Sequence, residues 1–251
     1  MLLAKRRRQE FGTAYLGEQA LDEWLLTKVK WRDGPMVIKA HEVGPVALQW
    51  IDTGRAKAVC TIRDPRDCVA SDIPFWGKGF DASVQRIMIS LKSLQKPNQD
   101  FGRTLFVRYE EMMGDRLRQI ERIAAYLHVE IGQRELEWID GQTSIQSCKK
   151  VCQGLNERPG NQVQVEPTGH RRDPITLLHD NHIGTAKVGR WKQDLTDAQT
   201  EQLTRLFANI LQTLGYETQQ SIQPYLANTT GAATNAGRSA ANDSPASQPM
   251  A

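Results

Sequence analysis

Ala58-Val59-Cys60-Thr61-Ile62-Arg63-Asp64-Pro65-Arg66-Asp67-Cys68-Val69-Ala70-Ser71 is the stretch on which the fold turns. Its first five residues form a short, largely β-branched apolar run that stops at a block of charge, which predicts a buried strand. Asp64-Pro65 can then cap and open a helix, because proline suits the first helical position. A helix start with free N–H groups and a flanking arginine is a ready anion site. Ser71, one helical face further on, could add a hydroxyl donor. The plainer reading of the same residues is a helix cap with Arg63 and Asp67 paired on the surface.

Working outward, two further runs repeat the pattern. Met36-Val37-Ile38 ends at Lys39-Ala40-His41, and Thr104-Leu105-Phe106-Val107 ends at Arg108-Tyr109-Glu110. Between the second and third runs, Val84, Ile87, Met88, Leu91 and Leu94 recur at helical spacing, and after the third Leu117, Ile120, Ala124 and Leu127 do the same. Strands alternating with amphipathic helices predict an α/β fold with a parallel central sheet covered by helices on both faces, three layers in all. Upstream, Leu21, Trp24, Leu25 and Val29 suggest another helix, followed by a turn at Asp33-Gly34-Pro35. Residues 154–180, rich in Gly, Pro, Asn and Asp, read as a long ordered loop. Thr196-Asp197-Ala198-Gln199 fits a capping box opening a helix through Leu203, Leu206, Phe207, Ile210 and Leu214 to a stop at Gly215. From about Ala227 onward no apolar periodicity remains. The expected organisation is one α/β domain over 1–226 and a disordered tail over 227–251.

Composition narrows the function without deciding it. The 251 residues are 39% hydrophobic and 24% charged, as in an ordinary globular protein. A net charge of +3 is too small to indicate nucleic-acid binding, although Lys5-Arg6-Arg7-Arg8 is a local basic run. No apolar stretch reaches the ~20 residues of a membrane span, and no signal peptide is visible. Cys60, Cys68, Cys148 and Cys152 match neither a zinc spacing nor a disulfide framework, so reduced thiols and a cytoplasmic location are expected, with no metal.

Parallel sheets bind ligands beyond the carboxyl ends of their strands, which directs attention to Lys39/His41, Arg63–Ser71 and Arg108–Glu110. In order along the chain these clusters resemble the sulfotransferases that use 3′-phosphoadenosine 5′-phosphosulfate (PAPS). Val37-Ile38-Lys39-Ala40-His41 resembles that family's strand ending in Lys-Thr-His. Ile62 to Ser71 resembles its 3′-phosphate segment, with arginine and serine at matching separation. Val107-Arg108-Tyr109-Glu110-Glu111-Met112 is similar to the Tyr-Glu-Asp-Leu/Met segment, and Thr143-Ser144-Ile145 to the Thr-Ser-Phe element. Lys187-Val188-Gly189-Arg190-Trp191-Lys192 resembles the Gly-Asp-Trp-Lys segment that closes over the nucleotide. The resemblance runs from Met36 to Gly215.

The resemblance implies roles. Arg63 and Ser71 hold the 3′-phosphate, Tyr109 contacts the adenine, and Thr143 and Ser144 line the nucleotide site. Lys187, Gly189 and Arg190 belong to the closing segment. His41 is the general base on the acceptor hydroxyl, and Lys39 sits close to the transferring sulfuryl group. Taken alone, His41 reads as a strand-end histidine facing water, and Tyr109 as a packing residue with its hydroxyl at the rim.

Two departures stand out. Nothing upstream of Lys39 fits the family's glycine- and serine-rich 5′-phosphosulfate loop, so a chain shortened at its N-terminus is expected. The Arg-Lys-Gly triplet of some members falls at Gly184-Thr185-Ala186, where its charge is absent; His182, Lys187 or Arg190 could substitute. The expected function is sulfuryl transfer from PAPS to a hydroxyl or amine of a small-molecule, glycan or peptide acceptor. The alternative is a non-catalytic module of the same fold that binds nucleotide or a partner. A P-loop kinase would need G-x-x-x-x-G-K-[ST], which is missing.

Overall fold

The computed structural model describes residues 37–40, 43–95, 103–166, 169–174 and 176–227. The helix read around Leu21, the turn at Asp33, His41 and the tail beyond Ala227 lie outside the described residues. The chain divides into two compact units: residues up to Arg63 together with Asp67–Arg190, and Asp64–Arg66 together with the chain from Trp191 onward. The single domain expected over 1–226 spans both.

The first unit is α/β. Helix α1 (Pro45–Asp52) is followed by β1 (Ala58–Ile62), α2 (Pro65–Trp76), α3 (Phe80–Gln95) and β2 (Thr104–Arg108). Strands β1 and β2 pair in parallel, from Ala58 against Thr104 to Ile62 against Arg108. Proline occupies the first position of α2, and the Asp64 carboxylate accepts the Arg66 N–H at 2.9 Å, so the expected cap is present. Val69, Ala70, Val84, Leu91 and Val107 supply buried apolar side chains.

Two expectations for the strands change. Val37, Ile38 and Lys39 are not strand, and Ala40 makes only an isolated bridge. Val37 is 60% exposed, whereas Ile38 and Ala40 pack around Ala47 with Val43, Val46 and Trp50. The segment alternates outward and inward rather than being buried on both faces. Strand β1 also alternates, with Val59 and Thr61 exposed, because that side of the strand is open to solvent.

Helices α4 (Tyr109–Gly114), α5 (Arg116–Leu127), α6 (Gln133–Thr143) and α7 (Ile145–Gly154) follow. The stretch read as one long loop contains a 3₁₀ turn (Gly160–Gln162) and a short antiparallel hairpin, β3 (Gln164–Val165) with β4 (Arg171–Arg172). The Arg171 guanidinium donates to the carbonyls of Leu155, Asn156 and Arg158 at 2.9–3.0 Å. It thereby satisfies acceptors left open where α7 ends.

The second unit holds α8 (Trp191–Asp194), α9 (Asp197–Leu206), α10 (Ala208–Thr213) and α11 (Gln219–Ala227) around Leu203, Phe207, Leu211 and Ile222. The capping box forms: Thr196 Oγ1 accepts from Gln199 N at 3.2 Å, and Gln199 Oε1 from Thr196 N at 3.0 Å. The helix does not continue to Leu214, however. It breaks at Phe207, whose ψ of 11° ends one helix and starts the next. The break keeps Leu203, Phe207 and Leu211 inward and turns Leu206 to solvent.

Arg66 ties this unit together. Its side chain is 3% exposed and each of its nitrogens has an acceptor: Nε and Nη2 donate to the Asp64 carboxylate at 3.1 and 2.8 Å, and Nη1 to Glu217 Oε1 at 2.7 Å. Its plane lies 4.1 Å from the Trp191 ring centroid. Burial works against its charge, but Asp64 and Glu217 outweigh that and raise its pKa. Burial likewise pushes Glu217 up, and hydrogen bonds from Ser221 and Arg66 hold it below its ordinary value.

Arg66→Ala leaves Asp64 and Glu217 without their cation and should cost about 3–5 kcal/mol in urea unfolding; a loss below 1 kcal/mol contradicts the network. A carboxyl whose folded pKa is depressed contributes stability above its unfolded pKa and loses it as pH falls through the folded value. Glu217→Gln should therefore be less stable than wild type at pH 7, and the gap should close below the ordinary carboxyl value of 4.5.

Candidate functional site

Parallel strands deliver their carboxyl ends to one edge of the sheet. With Ile62 opposite Arg108, the next residues, Arg63 and Tyr109, become neighbours. The Arg63 guanidinium carbon lies 4.3 Å from the Tyr109 ring centroid. Arg63 Nη2 also donates to Asp67 Oδ2 at 3.2 Å and to the Lys187 carbonyl at 2.9 Å.

Segment 184–190 closes over this pair through its backbone. The Tyr109 hydroxyl donates to the Ala186 carbonyl at 3.0 Å, and Gly189 N donates to Asp67 Oδ2 at 2.8 Å. Burial raises the Tyr109 pKa, which keeps the phenol protonated and able to donate. Ala186 and Gly189 both have positive φ, 55° and 73°, so the segment is sharply folded. Arg190 Nη1 passes 3.8 Å from the position a Cβ on Gly184 would take, and its charge acts on Tyr109.

Asp67 is 0% exposed and Arg63 17%. The pair expected on the surface is thus half-sunk, with Asp67 buried and Arg63 half-buried. Arg63 Nε is shielded from water and has no hydrogen-bond partner among the described residues. Leaving a buried donor unmade is costly. A donor in that condition, on a permanently charged group at the end of a parallel strand, suits an anionic oxygen.

The sequence-predicted residues divide by location. Arg63, Tyr109, Lys187, Gly189 and Arg190 come together, and half-buried Ser71 lies one turn beyond Asp67 on the same face of α2. Tyr109 has one ring face against Arg63 and its hydroxyl committed, so a nucleobase would meet its remaining surface. Thr143 and Ser144 stand at the α6–α7 junction. Thr143 Oγ1 accepts from Arg116 at 2.9 Å and donates to Ile139 O, while Ser144 Oγ caps α7 by accepting from Ser147 N. Those bonds stay within their own helices and neighbours.

Lys39 is exposed, and partial desolvation and the Arg172 guanidinium lower its pKa. Arg172 is held by Gln164 and Glu166. Beside it, His179 bridges Arg172 through the backbone and packs on Phe75, with ring centroids 5.8 Å apart. Burial holds the His179 imidazole below its ordinary value. The residues that sequence reading did not assign to the site are Asp67 and the carbonyls of Ala186 and Lys187. Four-residue spacing signalled the Arg63–Asp67 pair; backbone acceptors carry no side-chain signal. Among the described residues no cluster of three or more His, Cys, Asp or Glu side chains could hold a metal ion, and no helix is long and apolar enough to cross a membrane.

Residues 26–215 match the family model of the sulfotransferase domain. Sulfotransferase 2A6 of Mus musculus is 24% identical over 194 residues, covering 70% of this chain and 64% of that protein. Amine sulfotransferase of Oryctolagus cuniculus is 21% identical over 194 residues, covering 70% and 61%. The chain thus spans a little over three fifths of the length of these relatives. Among solved structures, mouse sulfotransferase SULT7A1 complexed with PAP aligns with a TM-score of 0.55 at 16% identity, over 92% of this chain and 84% of that one. Retinol dehydratase in complex with androsterone and inactive cofactor PAP aligns at 0.52 with 19% identity, over 74% and 56%. At these identities the structures speak for the fold: α/β, with a parallel sheet and helices.

Gly189 holds its N–H on Asp67 by a backbone conformation that a Cβ disfavours, although the space around it is open. Gly189→Ala should lose about 1–2 kcal/mol in chemical denaturation. Gly79→Ala, equally open but without positive φ, is the control. Equal stabilities for the two variants would contradict the geometry.

Proposed function

Because the chain belongs to the sulfotransferase family, we propose that it transfers a sulfuryl group from PAPS to a hydroxyl or amine acceptor, leaving 3′,5′-ADP. The observation that carries this reading is half-buried Arg63 at the carboxyl end of β1, its Nε shielded from water and without a hydrogen-bond partner among the described residues. Its stack on Tyr109 and its bonds to Asp67 and Lys187 O hold the fork in one orientation before any ligand arrives, which lowers the ordering cost of binding.

Arg63 and Ser71 take the 3′-phosphate, and Lys187 and Arg190 add positive charge from segment 184–190. Gly189 sets that segment's fold. Tyr109 offers its remaining ring surface to the adenine, and Thr143 and Ser144 line the nucleotide side from the α6–α7 junction. PAPS, when bound, supplies an activated sulfuryl group. His41 removes the acceptor's proton, and the Lys39 ammonium stabilises negative charge nearby. We assign a small hydroxyl- or amine-bearing acceptor. The free thiols of Cys60, Cys68, Cys148 and Cys152 support a reducing, cytoplasmic location.

Isothermal titration with 3′,5′-ADP tests the assignment. Wild type should bind, and Arg63→Ala should weaken binding about 10- to 100-fold, the effect of losing a charge-assisted contact. Undiminished affinity in the variant, or a folded wild type that does not bind, contradicts the reading.

A further inference from the structure

We propose that Asp67 is a positioning residue of the nucleotide site, one that sets nucleotide affinity without touching the nucleotide; this rests on the assignment of Arg63 to the 3′-phosphate. A site selected only to attract an anion would not place a carboxylate beside its principal arginine, because like charges repel across a few ångströms. Asp67 is nevertheless completely buried, and a carboxyl group sealed from water needs hydrogen-bond partners.

One of its oxygens serves two elements at once. Oδ2 accepts from Arg63 Nη2 at 3.2 Å, fixing the guanidinium that follows β1, and from Gly189 N at 2.8 Å, fixing segment 184–190. Arg63 closes the circuit by donating to the Lys187 carbonyl, two residues before Gly189. Tyr109 braces the same arrangement, stacking on Arg63 and donating to Ala186 O. Removing the Asp67 charge therefore has two opposed effects. The local potential becomes more attractive to phosphate, while Arg63 and segment 184–190 lose their common anchor. Four contacts depend on that anchor directly or through one intermediate, so loss of order dominates and affinity falls. The sign of the change separates positioning from plain electrostatics.

The test uses the whole chain in three forms, wild type, Asp67→Asn and Asp67→Glu, titrated with 3′,5′-ADP and followed by amide hydrogen exchange without ligand. Asp67→Asn should bind about tenfold more weakly. Asp67→Glu, which keeps the charge but displaces the oxygen by a methylene, should also weaken binding. In unliganded wild type the Gly189 amide should be protected relative to an exposed loop, and in Asp67→Asn it should exchange faster while β1 and β2 keep their protection. Binding by Asp67→Asn as tight as wild type or tighter overturns the proposal, as does wild-type affinity in Asp67→Glu. An unprotected Gly189 amide in wild type overturns it even if neither variant folds. A wild type that fails to bind 3′,5′-ADP removes the nucleotide reading and this proposal with it; tight wild-type binding with unaffected variants removes this proposal alone.

Discussion

Parallel strands end at the same edge of their sheet, and the register that sets Ile62 against Arg108 therefore delivers Arg63 and Tyr109 to adjacent positions. The rest of the site depends on that placement. Had the strands run antiparallel, the two residues would lie at opposite edges and neither the stack nor the shared segment could form. With the pair in place, segment 184–190 needs only backbone groups to close on it: two carbonyls accept from Arg63 and Tyr109, and one N–H reaches Asp67. Closure of this kind asks little of the segment's side chains beyond the glycine at 189.

Two arginines three residues apart illustrate how surroundings divide roles. Arg66 is almost sealed from water, and its fork is taken by Asp64 and Glu217, with Thr204 at 3.3 Å and Trp191 against its face. Nothing about it is held in reserve, which marks a structural ion. Arg63 is slightly more open, its Nη2 is shared between two acceptors, and its Nε has none among the described residues. Incomplete satisfaction at the end of a strand, rather than charge as such, is what distinguishes a group ready for a ligand.

The features legible in the sequence are those decided locally. Asp64-Pro65 announced a helix start that Arg66 N confirms by bonding the Asp64 carboxylate, and Thr196 with Gln199 announced a capping box. The strand ends at Arg63 and Arg108 were visible because charge follows directly on apolar runs. What escaped was decided by distant packing. Phe207 continues a helical apolar period, yet its burial is met by a break in the helix there. No element was expected over Gln219–Ala227, yet a helix forms there around fully buried Ile222, with Pro224 inside it. Within the stretch read as a long loop, Arg171 spends its guanidinium on the carbonyls behind α7. In the candidate site, the Arg63–Asp67 pairing followed from spacing, but its depth came from a segment more than a hundred residues later in the chain.

The central claim is that Arg63 and its surroundings recognise a 3′-phosphate. Comparing 5′-AMP with 3′,5′-ADP in calorimetric titration of the unaltered protein isolates that one group without any mutation. The account predicts that removing the 3′-phosphate weakens binding about tenfold or more, since a charge-assisted contact to arginine is lost. Equal affinity for the two nucleotides would contradict it.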